Sequence, residues 1–150
     1  MSLNGLYKEV VLDHYRSPRH QGKLENPTFE EGGHNPSCGD TLEVYVKLDD
    51  DKKITDVAFD GHGCSISLAS SSMMTEIMIG KTVDEALELV ETFEGMMRGE
   101  TEFPEEDEYL DVLSMKGVAE FPVRVKCATL AWDTLKRGIT KYHTQEKSAE

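Results

Sequence analysis

Gly61-His62-Gly63-Cys64-Ser65-Ile66-Ser67 is where two kinds of sequence pattern meet. Upstream, Thr55, Val57 and Phe59 alternate with Asp56, Ala58 and Asp60, the two-residue period of a strand with one buried face. Downstream, Ile66, Ala69, Met73 and Ile77 recur at helical spacing. Glycines on either side of His62 permit a sharp turn between the two elements. Cys64 thus falls at a helix start, where unpaired N–H groups and the positive end of the dipole favour thiolate over thiol.

The pattern extends outward from this junction. Leu42, Val44, Val46 and Leu48 face one way and Thr41, Glu43, Tyr45 and Lys47 the other, and Asp49-Asp50-Asp51-Lys52 reads as a turn, so residues 41–60 predict an antiparallel hairpin. Residues 21–40 hold Gly22, Pro27, Gly32, Gly33, Pro36 and Gly39 and read mostly as loop, with Phe29 alone able to anchor a short strand. An amphipathic helix is predicted over 3–16 from Leu3, Leu6, Tyr7, Val10, Val11, His14 and Tyr15, and Pro18 ends it. Its polar end, Asp13, His14, Arg16, Arg19 and His20, reads as a solvated corner. The helix from Ser65 runs to about Gly80, with Ser70, Ser71 and Ser72 on its polar side and Met73, Met74 and Met78 in the core.

Thr82-Val83-Asp84-Glu85 is a capping box opening the next helix, which carries Ala86, Leu87, Val90, Phe93 and Met97. The acidic run 100–108 reads as a solvated loop, and Tyr109, Leu110, Leu113 and Met115 as a short helix closed by Gly117. Pro122 suits the first turn of a last helix along Ala128, Ala131, Leu135, Ile139 and Tyr142, with a frayed tail at 143–150. The class is α+β, and without a Pro/Gly/Ser-rich linker residues 1–150 are expected to form one domain.

The 29 acidic and 16 basic side chains, net charge −13, argue against nucleic acid or an anionic membrane as the main partner and for a basic protein surface or a cation. No apolar run is long enough to span a bilayer, and Met1-Ser2-Leu3-Asn4-Gly5 lacks the character of a signal peptide, so a cytoplasmic location is expected.

Cys38, Cys64 and Cys127 are odd in number and widely spread, which suits metal binding or thiol chemistry better than a disulfide framework. A lone cysteine often serves as a small buried hydrophobe, but all three lie at turns marked by glycine or proline. Across Gly39, Cys38 and Asp40 can converge on one point, making a Cys₃Asp set that suits zinc or an iron–sulfur cluster. His34 and His62 are alternative ligands by spacing. Phosphate loops, nucleophile elbows and His-Glu-x-x-His helices are absent from the sequence.

Four segments in order resemble the U-type iron–sulfur cluster assembly proteins, and among them the SufU branch. They are Leu6-Tyr7 to Pro18-Arg19, Asn35-Pro36-Ser37-Cys38-Gly39-Asp40, Gly61 to Met74, and Phe121-Pro122-Val123-Arg124-Val125-Lys126-Cys127 to Trp132. Two features set the chain apart from the IscU branch. Lys126 stands where that branch has a histidine before the third cysteine, and the stretch between Gly80 and Cys127 is longer.

The resemblance implies a three-stranded antiparallel sheet packed against a layer of about five helices, of the SufE/NifU N-terminal kind. It also implies zinc bound by Cys38, Asp40, Cys64 and Cys127, with Arg124 aiding activity nearby. The implied function is that of a zinc-dependent sulfur acceptor, a sulfurtransferase working only with a cysteine desulfurase of the SufS kind. Cys38 would take the persulfide sulfur and pass it to downstream cluster scaffold proteins. The alternative is a scaffold on which a [2Fe–2S] cluster is assembled and transferred.

Overall fold

The alternation around the Asp49–Lys52 turn folds as an antiparallel hairpin of the second and third strands of a sheet whose strands are β1 (Phe29–Asn35), β2 (Asp40–Leu48) and β3 (Ile54–His62), in that spatial order. The computed structural model describes residues 3–37 and 39–149, with side chains from 8 to 146; Cys38 lies outside the described residues. Helices α1 (Leu3–Arg16), α2 (Ser65–Met78), α3 (Val83–Met97), α4 (Leu110–Leu113) and α5 (Pro122–Ala149) complete the fold. Short 3-10 turns at Asp107–Tyr109 and Ser114–Glu120 flank α4. The class is therefore α+β, with a three-stranded antiparallel sheet and five helices among the described residues. None of these helices is long and apolar enough to cross a membrane.

Leu42, Val44, Val46, Val57 and Phe59 are buried as the alternation predicts. Thr55 is not: the register shifts at Lys47/Leu48, so Leu48 faces Ile54, and Ile54 enters the core while Thr55 is exposed.

β1 is a full strand in a region whose glycines suggest loop. Gly33 and Gly138 are required here by close approach. A Cβ on Gly33 would overlap Thr134 Oγ1, and one on Gly138 would lie 2.8 Å from Phe29 Cε2. Their absence lets α5 cross directly over β1, where Phe29 stacks on Tyr142 with centroids 5.5 Å apart and Lys141 pairs with Glu31 at 2.6 Å. That ion pair holds the Glu31 carboxyl below its usual range.

α2 packs against α1 on one side and α5 on the other, and this corrects the expectation for its serines. Ser70, Ser71 and Ser72 are fully buried, not on a solvated face. Each hydroxyl has a hydrogen-bond partner. Ser71 donates to the Ser67 carbonyl at 2.7 Å, and Ser70 donates to the Ala128 carbonyl at 2.6 Å while accepting from Trp132 Nε1 at 2.9 Å. Small hydroxyls thus let three helices close together without leaving polar groups unpaired. Met73, Met74 and Met78 fill the core beside them, and Phe93 stacks on Trp132 at 4.0 Å.

The polar end of α1 also differs from the solvated corner the sequence suggests. His14 is fully buried, its Nδ1 2.8 Å from Ser72 Oγ and its Nε2 2.7 Å from Asp111 Oδ2, so α1, α2 and α4 are joined through one ring. The capping box forms as read, with Thr82 Oγ1 accepting from the Glu85 N–H and Glu85 from the Thr82 N–H. Beyond residue 143, where fraying is expected, α5 remains helical, and Glu146 accepts from Tyr142 Oη at 2.9 Å and pairs with Lys52 at 2.7 Å.

Gly33→Ala is expected to lower stability by about 1–3 kcal/mol through overpacking against Thr134. In a Thr134→Ala background the same change should cost less than half as much, because the overlapped oxygen is gone. Chemical denaturation of the four proteins of this cycle measures both.

Candidate metal centre

Three elements deliver the site. Asp40 is the first residue of β2, and the strand register sets it opposite Asn35 at the end of β1. Cys64 is the N-cap of α2, in extended conformation with φ −74° and ψ 168°. Cys127 lies in the second turn of α5, past the first unpaired N–H groups of the helix.

Cys64 N–H donates to Asp40 Oδ1 at 2.8 Å, tying the end of the sheet to the start of the helix. On the carboxylate's other side Asn35 Nδ2 lies 3.4 Å from Asp40 Oδ2 and 3.8 Å from Cys127 Sγ. Asp40 and Cys127 are fully buried, and Cys64 is half-buried. A carboxylate oxygen of Asp40 and the two sulfurs all lie within 4.8 Å of one another.

The chemistry of this donor set fits a divalent metal. Asp40 has lost water entirely, and both partners named above are uncharged amides, which alone offset poorly the cost of burying a carboxylate. Two sulfurs and an oxygen are the ligand types of a zinc site. Tetrahedral ligands at zinc distances stand roughly 3.3–3.8 Å apart, and three donors within 4.8 Å of one another are in reach of one ion. The set Asp40, Cys64 and Cys127 is thus brought together, while His34 and His62 are not part of it. His34 is exposed and bonds Thr41 Oγ1 at 3.0 Å, and His62 is exposed at the end of β3. Cys38 lies outside the described residues, between exposed Ser37 and Gly39, the latter at φ +70°.

Arg124 is exposed and lines an open cavity of about 540 Å³ together with Cys64, Lys8, Leu12 and Phe121. A second cavity, about 310 Å³, is lined in part by Asn35, Lys126, Glu94, Arg98 and Asp133. Asn35 is the functional candidate that reading for ligands overlooks, since an amide is not a thiolate or a carboxylate. Its only mark in the sequence is its place just before Pro36-Ser37-Cys38.

The NifU-like N terminal domain family matches residues 6–149. The chain belongs to this family. A zinc-dependent sulfurtransferase SufU of Bacillus subtilis is 42% identical over 140 residues, 93% of this chain and 93% of that protein. An iron–sulfur cluster assembly scaffold protein IscU of Streptococcus pyogenes is 48% identical over 139 residues, 93% of this chain and 86% of that one. Among solved structures, the N-terminal part of a nitrogen-fixing NifU-like protein from Brucella abortus superposes with a TM-score of 0.84 at 26% identity, covering 95% of this chain and 99% of that one. The family resemblance read from the four motifs and the fold expected from it are both borne out.

Glu94 in the second cavity gives a pH test. Its Oε1 is buried without a hydrogen-bond partner among the described residues, and burial raises its carboxyl above the usual 4.5. The folded chain therefore holds this proton more tightly than the unfolded chain, so stability falls as pH rises through the carboxylate range. Glu94→Gln should raise the melting temperature near pH 8, with the difference shrinking towards zero as pH is lowered to about 4. Thermal melts of both proteins across that range measure it.

Proposed function

We propose that this chain is a zinc-dependent sulfur carrier in iron–sulfur cluster assembly, acting with a cysteine desulfurase of the SufS kind and not as a stand-alone enzyme. The observation that carries this reading is the buried meeting of Asp40, Cys64 and Cys127 around one point. With Cys38 as the fourth donor, these residues would hold zinc. Coordination supplies deprotonated, oxidation-protected thiolates at neutral pH. The whole of residues 1–150 is read as one such domain, working in the cytoplasm.

Cys38 is the sulfur acceptor in this reading. Cys127 is fully buried, and Cys64 is fixed by its own backbone bond to Asp40, whereas the residues flanking Cys38 are exposed. The Cys38 thiolate attacks the outer sulfur of a persulfide on the desulfurase. A new S–S bond forms at Cys38, the old S–S bond breaks, and the desulfurase cysteine leaves as thiolate. Cys38 then carries the persulfide to a cluster-building protein. Arg124 and Lys8, at the mouth of the cavity beside Cys64, place positive charge where anionic sulfur arrives.

A second reading, a scaffold on which a [2Fe–2S] cluster is built and released, draws on the same donors and on the 48% identity to a protein named as such a scaffold. Anaerobic titration with iron and sulfide separates the two. A stoichiometric, transferable cluster favours the scaffold, and retained zinc without cluster favours sulfur transfer.

Cys38→Ala is expected to abolish stimulation of a cognate cysteine desulfurase, returning cysteine turnover to the unassisted rate. Full stimulation by the variant removes Cys38 from the acceptor role.

A further inference from the structure

Asn35 connects the donors of the site. Only 6% exposed at the end of β1, it directs one amide nitrogen to two groups, Asp40 Oδ2 at 3.4 Å and Cys127 Sγ at 3.8 Å. The orientation of the amide follows from its neighbours: both are acceptors, so turning it over would set its carbonyl oxygen against a carboxylate and a sulfur. With Cys64 N–H donating to the other oxygen of Asp40, a continuous line of polar contacts joins Cys64, Asp40, Asn35 and Cys127.

We propose that Asn35 is the positioning residue of the metal centre. Shared between Asp40 and Cys127, its amide holds these two donors at a common edge of the coordination shell. It also withdraws electron density from the Cys127 sulfur, keeping that sulfur a ligand and not a nucleophile. This rests on the zinc reading given above.

The choice of side chain follows from charge. Three thiolates and a carboxylate around a divalent ion leave a buried, net anionic centre, which hydrogen-bond donors relieve. A lysine or arginine here would itself pair with Asp40 and the thiolates and compete with the ion. A neutral amide relieves the charge without occupying the ion's place. Its location in the strand register opposite Asp40 makes the arrangement a property of the β1–β2 pairing, not of a mobile loop.

The test compares wild type with Asn35→Leu, which keeps volume but removes the donor, and Asn35→Asp, which keeps shape but puts a carboxylate against the donors. Zinc affinity is read by competition with a chromogenic chelator. The ligand field is read from the thiolate-to-metal charge-transfer bands of the cobalt(II)-substituted proteins, and folding of the metal-free chains by circular dichroism. Expected are unchanged metal-free spectra, zinc affinity about 10- to 100-fold weaker in Asn35→Leu and weaker still in Asn35→Asp, and shifted cobalt bands in both. A merely structural asparagine would move the melting temperature and leave the cobalt bands in place. If Asn35→Leu fails to fold, the isosteric Asn35→Asp carries the comparison. Equal zinc affinity in all three with superimposable cobalt spectra overturns the role of Asn35 alone. A wild-type chain that does not hold zinc overturns the zinc reading, and this inference with it.

Discussion

The bond from the Cys64 N–H to Asp40 Oδ1 is the contact on which the arrangement of the site depends. It joins the first residue of β2 to the cap of α2, and it does so in a fully buried position where a carboxylate is costly unless its oxygens find donors. Gly63 is what makes the approach possible. A Cβ there would overlap Ser67 Oγ and come within 2.6 Å of Asp40 Oδ1. The glycine before Cys64 is therefore needed less for a turn than for space against the carboxylate. Once Asp40 is seated, Cys64 is seated as well.

Much of the scaffold was legible because local pattern and tertiary environment agree. The β2–β3 alternation, the Thr82–Glu85 capping box, the Pro122 helix start and the strand-to-helix junction at Cys64 are all set by neighbours within a few residues. What escaped was set by partners far away. β1 reads as loop because Gly32 and Gly33 have poor strand propensity, yet Gly33 is where Thr134 of α5 needs room. Ser70 to Ser72 read as surface because hydroxyls are usually wet, yet their partners are Ala128, Trp132, Ser67, Arg19 and His14. Periodicity reports which residues share a face, and not what that face will meet.

The same distinction applies within the site. Asp40, Cys64 and Cys127 could be nominated from residue type and turn context, because metal ligands are chemically conspicuous. Asn35 could not, since its value lies in the two acceptors that strand pairing and α5 bring to it from positions 40 and 127. The selection of His34 and His62 as alternatives shows the converse: sequence proximity to cysteine is no guide once β3 and the β1 end turn those rings outward.

The two cavities meet the centre through different residues, Cys64 in one and Asn35 in the other, and this bears on the proposed direction of sulfur flow. The side beside Cys64 is ringed by Lys8, Arg124 and exposed apolar groups, Leu12 and Phe121, with Val123 76% exposed close by in sequence. In a chain of net charge −13, this cationic and apolar rim suits, on the proposed reading, a protein that presents anionic sulfur. The other cavity is lined by polar and apolar groups together, and Asn35 in that lining directs its amide at Cys127. Cys127 is buried with the Asn35 amide directed at its sulfur, so on the proposed reading attack on an incoming persulfide falls to another thiol, Cys38. The division of labour proposed for three chemically identical thiols thus rests on burial and hydrogen bonding, with no difference in the residues themselves.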